Sequence, residues 1–167
     1  KRIFEEARAV SSIGCRGVVE VFANGKLPDG RHWWAIEHLD GEPLNWVLRR
    51  GPVTTSQAIE ILDQVVAALA AAHAWAIVHG HLKPSNVFLV KTADGSTLVK
   101  LLDFGLAKMG HVLGRLGPDG QVQVIGTPDY MAPEVARAEP VTPLSDLYSL
   151  GALAFTLLTG RNVFVGE

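Results

Sequence analysis

The chain has 167 residues, 48% apolar and 19% charged, enough for one domain with its own core and too apolar for a disordered segment. Its formal net charge of -2 and pI near 6.3 leave no electrostatic footprint for nucleic acid or an acidic membrane as partner. A single cysteine, Cys15, excludes an internal disulfide and a cysteine-rich zinc centre, and reads as a small loop residue.

Lys1 to Ser12 place Ile3, Phe4, Ala7 and Val10 at helical spacing and end near Gly14. GVVEVFANG and RHWWAIEHL are rich in β-formers and flank GKLPDG, a turn composition, so they predict a strand pair. LNWVLRRG predicts a short helix closed by Gly51. Thr54 and Gln57 form a capping-box pattern, and Ala58, Ile61, Leu62, Val65, Leu69 and Ala72 then trace one apolar face of a longer helix. The apolar run Val65 to Val78 holds a histidine and is shorter than a bilayer requires. With no signal peptide visible, a cytoplasmic chain without a membrane segment is expected.

VFLV and TLVKLL, joined by KTADGS, predict a hairpin. Residues 105 to 126 carry seven glycines or prolines and predict a long loop. Ser145 is the expected cap of a last helix that runs to Thr159, apolar nearly all round and therefore buried. The chain opens on Lys1 and stops two residues after Val165, so a segment of a longer polypeptide is expected.

Polar groups crowd into the loops, where a scaffold normally carries its chemistry. Between the long helix and the hairpin stands His79-Gly80-His81-Leu82-Lys83-Pro84-Ser85-Asn86, and seventeen residues past Asn86 stands Asp103-Phe104-Gly105. Gly126-Thr127-Pro128-Asp129-Tyr130-Met131-Ala132-Pro133-Glu134 and then Asp146-Leu147-Tyr148-Ser149-Leu150-Gly151 follow. In this order the four resemble the protein-kinase H-R-D-L-K-P-x-N loop, D-F-G, G-T-P-x-Y-M-A-P-E and the start of the central helix. The likeness is closest to bacterial serine/threonine kinases. One such match would be weak; four in sequence are specific.

The resemblance implies an α+β, protein-kinase-like fold. Residues 1–39 would be a remnant of the N-lobe and hinge, with the helix after the ATP-lysine strand. Residues 40–167 would be the C-lobe through its central helix, with the domain truncated at both ends. It implies ATP and Mg²⁺ as cofactors and a protein as substrate or partner. Asn86 and Asp103 would offer hard oxygens to the metal, and Lys83 would meet the γ-phosphate. Thr127 would hydrogen-bond in the catalytic loop, which Asp146 would hold through backbone amides. Glu37 and Leu39 would face adenine from the hinge after gatekeeper Ile36, above a floor made by Phe88. Glu6 aligns with the glutamate that pairs with the ATP lysine, and Val10, Val21, Phe104 and His79 with a regulatory spine.

Taken singly, Asp103 reads as a turn residue, Asn86 as a capping group and His79 as a packed histidine. The H-x-H pair lacks a third ligand at zinc spacing, and Trp33, Trp34, Trp46 and Trp75 read as core and boundary aromatics. The departures from the family carry as much information as the matches. His81 stands where the family has its catalytic aspartate, a group worth on the order of 10² to 10⁴ in rate. An imidazole lacks the negative charge, and its protonated form is disfavoured beside Lys83. Gly80 replaces the arginine that grips a phosphorylated activation loop, and Leu106 to Gly126 contain no Ser, Thr or Tyr. The glycine-rich loop and the ATP lysine are absent, and the usual arginine partner of Glu134 lies beyond residue 167.

These features favour a strongly impaired kinase-like domain, a pseudokinase acting through protein contacts or a fragment of one. An active serine/threonine kinase completed by the missing N-lobe is the alternative, with an unrelated interaction module third.

Overall fold

The computed structural model describes residues 13–104, 115–116, 122–123 and 128–164. The expected first helix, with Glu6 and Val10, lies outside them, as does Thr127. Strands β1 (Val21–Lys26) and β2 (His32–Ile36) form the expected antiparallel ribbon around the Leu27–Arg31 turn. β3 (Gly41–Pro43) leads into helix α1 (Leu44–Arg50), which ends at Gly51. Gly41 is required where it stands: a Cβ there would lie 2.0 Å from the Leu89 carbonyl oxygen of the neighbouring strand.

Helix α2 (Thr55–Ala74) starts from Thr54, whose side chain accepts from the Gln57 amide while Gln57 returns a bond to the Thr54 amide. The predicted capping box is therefore formed, and it satisfies two amides that have no partner inside the helix. Ala58, Ile61, Val65, Leu69 and Ala72 are buried on one face as expected; Ala68 joins them, and Leu62 is half-buried.

β4 (Val87–Lys91) and β5 (Thr97–Leu101) form the predicted hairpin, and β3 adds to its other edge. Val18 bridges to Leu101 in parallel, so the segment before β1 is stitched to the end of β5. Period-two alternation sends Val99 and Leu101 into the core and Phe88 and Lys100, which are ladder partners, to the opposite face. Inside the stretch expected to be a loop, β6 (Arg115–Leu116) and β7 (Val122–Gln123) pair antiparallel.

After a 3₁₀ turn at Pro128–Tyr130 come the short helix α3 (Pro133–Ala136) and helix α4 (Pro143–Thr159). Two expectations for α4 need correction. Thr142 is the N-cap and Ser145 its reciprocal partner one turn in. The helix is also buried on one stripe only, through Ser145, Asp146, Ser149, Ala152, Leu153, Thr156 and Leu157. Leu144 and Leu147 are 71% and 54% exposed, with Phe155 and Leu158 also exposed. Apolar residues all round predict complete burial, yet the helix packs only where α2 and the Pro128–Val135 segment meet it, which leaves Leu144, Leu147, Phe155 and Leu158 outside.

The core thus lies between α2, α4 and the inner face of the hairpin, with Leu44, Leu82 and Phe104 closing it. The loop from Val78 to Asn86 crosses its end.

Candidate functional site

A carboxylate from a distant helix sets the loop ahead of β4. Asp146, fully buried on α4, accepts from the backbone amides of His79 at 2.9 Å and Gly80 at 2.7 Å. Its Oδ2 also accepts from His73 Nε2 at 2.7 Å, in the last turn of α2. A charge removed from water needs such donors, and here it has three. Gly80 sits at φ 71, a left-handed conformation that costs glycine nothing extra and other residues about 1–2 kcal/mol.

His79 packs its ring against Phe104, centroids 4.6 Å apart. Burial pushes its pKa below the ordinary histidine value, although the Asp146 and Asp103 charges pull the other way. The His81 amide donates to His79 Nδ1 at 3.1 Å, so the neighbouring imidazole uses its lone pair to hold the loop. His79 is therefore a packed, neutral histidine.

His81 itself is half-buried and linked to Asn86. The Asn86 amide donates from Nδ2 to the His81 carbonyl oxygen at 2.9 Å and lies 3.3 Å from His81 Nδ1. With Nδ2 as the donor, Nδ1 is the acceptor and the imidazole proton sits on Nε2. His81 Nε2 is buried and has no hydrogen-bond partner among the described residues. Desolvation first, then the charge of Lys83, lower the His81 pKa to about 4. At neutral pH the ring is uncharged and a weak proton acceptor.

Asn86 is buried in the 3₁₀ turn Pro84–Asn86, whose sharp start suits Pro84. Its Oδ1 accepts only a long bond, 3.3 Å, from Ser85 Oγ. The Leu102 amide donates to the Asn86 carbonyl at 2.9 Å, which brings Asp103, the next residue, alongside Asn86. Asp103 is exposed and holds φ 63, a strained value for a residue with a Cβ.

Lys83 is half-buried and lines a cleft with Gly80, His81, Tyr130, Met131 and Ala132. The far wall of that cleft is held to α4: Ser149 Oγ donates to the Tyr130 carbonyl at 2.7 Å, and the Tyr130 hydroxyl donates to Thr156 Oγ1 at 3.3 Å. Glu134, expected to wait for an arginine, accepts from Ser145 Oγ at 2.6 Å, and this bond lowers its pKa.

Ile36 is exposed at the end of β2, while Glu37, Leu39 and Phe88 are half-buried. Val21 opens β1. Hydrogen bonds thus join His81 to Asn86 and Asn86 to Leu102, the neighbour of Asp103, with Lys83 in the same loop, while Ile36, Glu37 and Leu39 lie on a separate stretch that meets the hairpin face bearing Phe88. That meeting is made by a residue the sequence reading passed over. Lys100 Nζ pairs with Glu37 Oε1 at 2.5 Å and reaches the Val18 carbonyl at 3.3 Å. Its signal was a lone lysine inside the alternating strand TLVKLL. The second omission is His73, a polar residue at the end of an alanine-rich helix.

The sequence matches the protein kinase domain family over residues 1–167. It is 42% identical over its whole length to the serine/threonine-protein kinase Pkn1 of Myxococcus xanthus, covering 24% of that protein. Over 97% of its length it is 37% identical to the serine/threonine-protein kinase PknL of Mycobacterium tuberculosis, covering 39% of it. The chain spans well under half the length of these curated relatives. In fold it is similar to the Mycobacterium tuberculosis PknI kinase domain, with a TM-score of 0.75 and 23% identity over 98% of this chain and 58% of that one.

Proposed function

The chain belongs to the protein kinase domain family, of the bacterial serine/threonine type, and from that premise we propose that it transfers phosphate poorly and works mainly through protein contacts. The observation that carries this reading is the state of His81. A catalytic base must hold a free lone pair toward the acceptor hydroxyl and a pKa suited to neutral pH. His81 is uncharged with a pKa of about 4, has Nδ1 against the Asn86 amide and carries its proton on Nε2.

The remaining site chemistry is of the family kind. Asn86 Oδ1 and the Asp103 carboxylate would form a hard-oxygen pair: Nδ2 is fixed on the His81 carbonyl, and Oδ1 carries only the long bond from Ser85 Oγ. That set fits Mg²⁺, with the pair supplying two ligands. When bound, the cation would neutralise charge on the transferring phosphate. Lys83 would add a positive charge beside it. The base of ATP would lie between the Ile36–Leu39 hinge and Phe88, with the Glu37 carbonyl and Leu39 amide as its hydrogen-bonding edge. Thr127 would steady the loop. Residues 1–39 then belong to the upper lobe and 40–167 to the lower one. A protein substrate or partner would approach the cleft between Lys83 and Met131 in the cytoplasm. No helix among the described residues is long and apolar enough to cross a membrane.

A second reading, an active kinase, draws on the retained Lys83, Asn86 and Asp103 and on relatives named as kinases. Phosphate incorporation from labelled ATP separates the two, using the full-length polypeptide beside its His81→Asp variant. The variant is expected to exceed the wild type by about 100-fold or more, the usual worth of a positioned base. Equal rates well above background in two folded proteins would establish the active reading instead.

A further inference from the structure

We propose that Lys100 is a positioning residue for nucleotide-base recognition, acting through Glu37; this rests on the nucleotide site described above. Lys100 belongs to the strand that ends two residues before Asp103, and its cross-strand partner is Phe88. One rung of the hairpin therefore carries both the floor of the base site and the cation that holds its edge. Val99 and Leu101 are fully buried on the opposite face, so the strand cannot rotate Lys100 away without unpacking the core.

The clamp is built from several bonds that share one carboxylate. Glu37 Oε1 accepts from Lys100 Nζ and from the Glu20 amide at 2.8 Å, while the Glu37 amide donates to the Glu20 carbonyl at 3.0 Å. Lys100 Nζ also donates to the Val18 carbonyl. Residues 17 and 19 are themselves bonded to Leu101, through Leu101 N to the Gly17 carbonyl at 2.8 Å and Val19 N to the Leu101 carbonyl at 3.0 Å. The side chains are 12% and 22% exposed, so this pair is shielded in a way that a surface ion pair is not.

The consequence concerns the backbone of Glu37. Its side chain is tied to Lys100 and its amide to the Glu20 carbonyl, so the clamp fixes the residue whose carbonyl the proposed site offers to the base. Because Lys100 and Phe88 share a rung, the clamp ties that residue to the strand pair that carries Phe88. Polyphosphate contacts, made by Lys83, Asn86 and Asp103, do not pass through this clamp. Lys100 should therefore govern which base is accepted and leave triphosphate affinity alone.

The test uses the full-length polypeptide and three probes with Mg²⁺: ATP, GTP and inorganic tripolyphosphate, measured by calorimetry. Lys100→Met is expected to weaken ATP by about tenfold, a coupling of the size adjacent groups show. It should shrink the ATP-over-GTP preference and leave tripolyphosphate unchanged. Glu37→Gln keeps an acceptor for the Glu20 amide but removes the charge, and should reproduce the same pattern. The double variant should lose no more than either single one. Equal weakening of ATP and tripolyphosphate, or an unchanged ATP-over-GTP ratio in Lys100→Met, would overturn the role of Lys100 while the kinase reading stands. A wild type that binds tripolyphosphate but shows no preference for ATP would overturn both.

Discussion

Replacing Asp146 by alanine should be among the most damaging changes in the protein. The carboxylate is fully buried and collects three donors: the His79 amide, the Gly80 amide and His73 Nε2. An unpaired buried donor costs about 1–3 kcal/mol, and breaking a buried charged network costs about 3–5 kcal/mol. His73 is 20% exposed and can turn to water, so its share is small. The loss falls mainly on the two loop amides, which gives about 3–5 kcal/mol in all. With a urea slope of about 2 kcal/mol/M, the unfolding midpoint should fall by about 2 M at unchanged slope. Asp146→Asn, which keeps one acceptor oxygen, should lose less. Hydrogen exchange adds a local reading: the amides of His79 and Gly80 should lose protection before those of α2. His73→Ala should have little further effect in the Asp146→Ala background, since their interaction is already gone. A midpoint drop under about 0.5 M would show that the loop is held by its packing and not by this carboxylate.

Gly41→Ala should cost about 1–3 kcal/mol, an overpacking penalty, because the added carbon meets strand backbone and no flexible side chain can yield. Thermal unfolding of the variant checks this, and a native-like midpoint would mean that β3 shifts freely. For pH, His81 titrates near 4 in the folded chain and near 6.5, the ordinary value, when unfolded. Below 6.5 the unfolded state takes up the proton first, so the stability present above that pH is lost progressively as pH falls toward about 4. His79 is shifted in the same direction and adds to the trend. In urea titrations across this window, His81→Asn should flatten the pH dependence by up to about one proton, and an identical slope would remove His81 from the account.

Much of the architecture could be read from local chemistry. Thr54 and Gln57 announce the start of α2 because a capping box is completed within four residues. KTADGS separates two β-rich runs by a length that only a tight connection fits, and the hairpin forms around it. The resemblance carried the loop from His79 to Asn86 and the aspartate at 103, and the Leu102–Asn86 bond brings those stretches side by side. The burial of α4 was beyond reach for a plain reason. Leu144, Leu147, Phe155 and Leu158 are as apolar as Leu153 and Leu157, and composition cannot say which stripe finds a partner.

The order of residues by itself determined the cap of α2, the turn chemistry, the family and the exchange of a carboxylate for an imidazole at 81. These depend on neighbours a few positions apart or on residue identity alone. Tertiary structure decided the rest: that His73 and Asp146, far apart in the chain, are hydrogen-bonded, that Lys100 clamps Glu37, and that His81 is neutral. Each of these follows from desolvation and from distances between separate elements. Both quantities come into being only when the chain has folded and water has been removed.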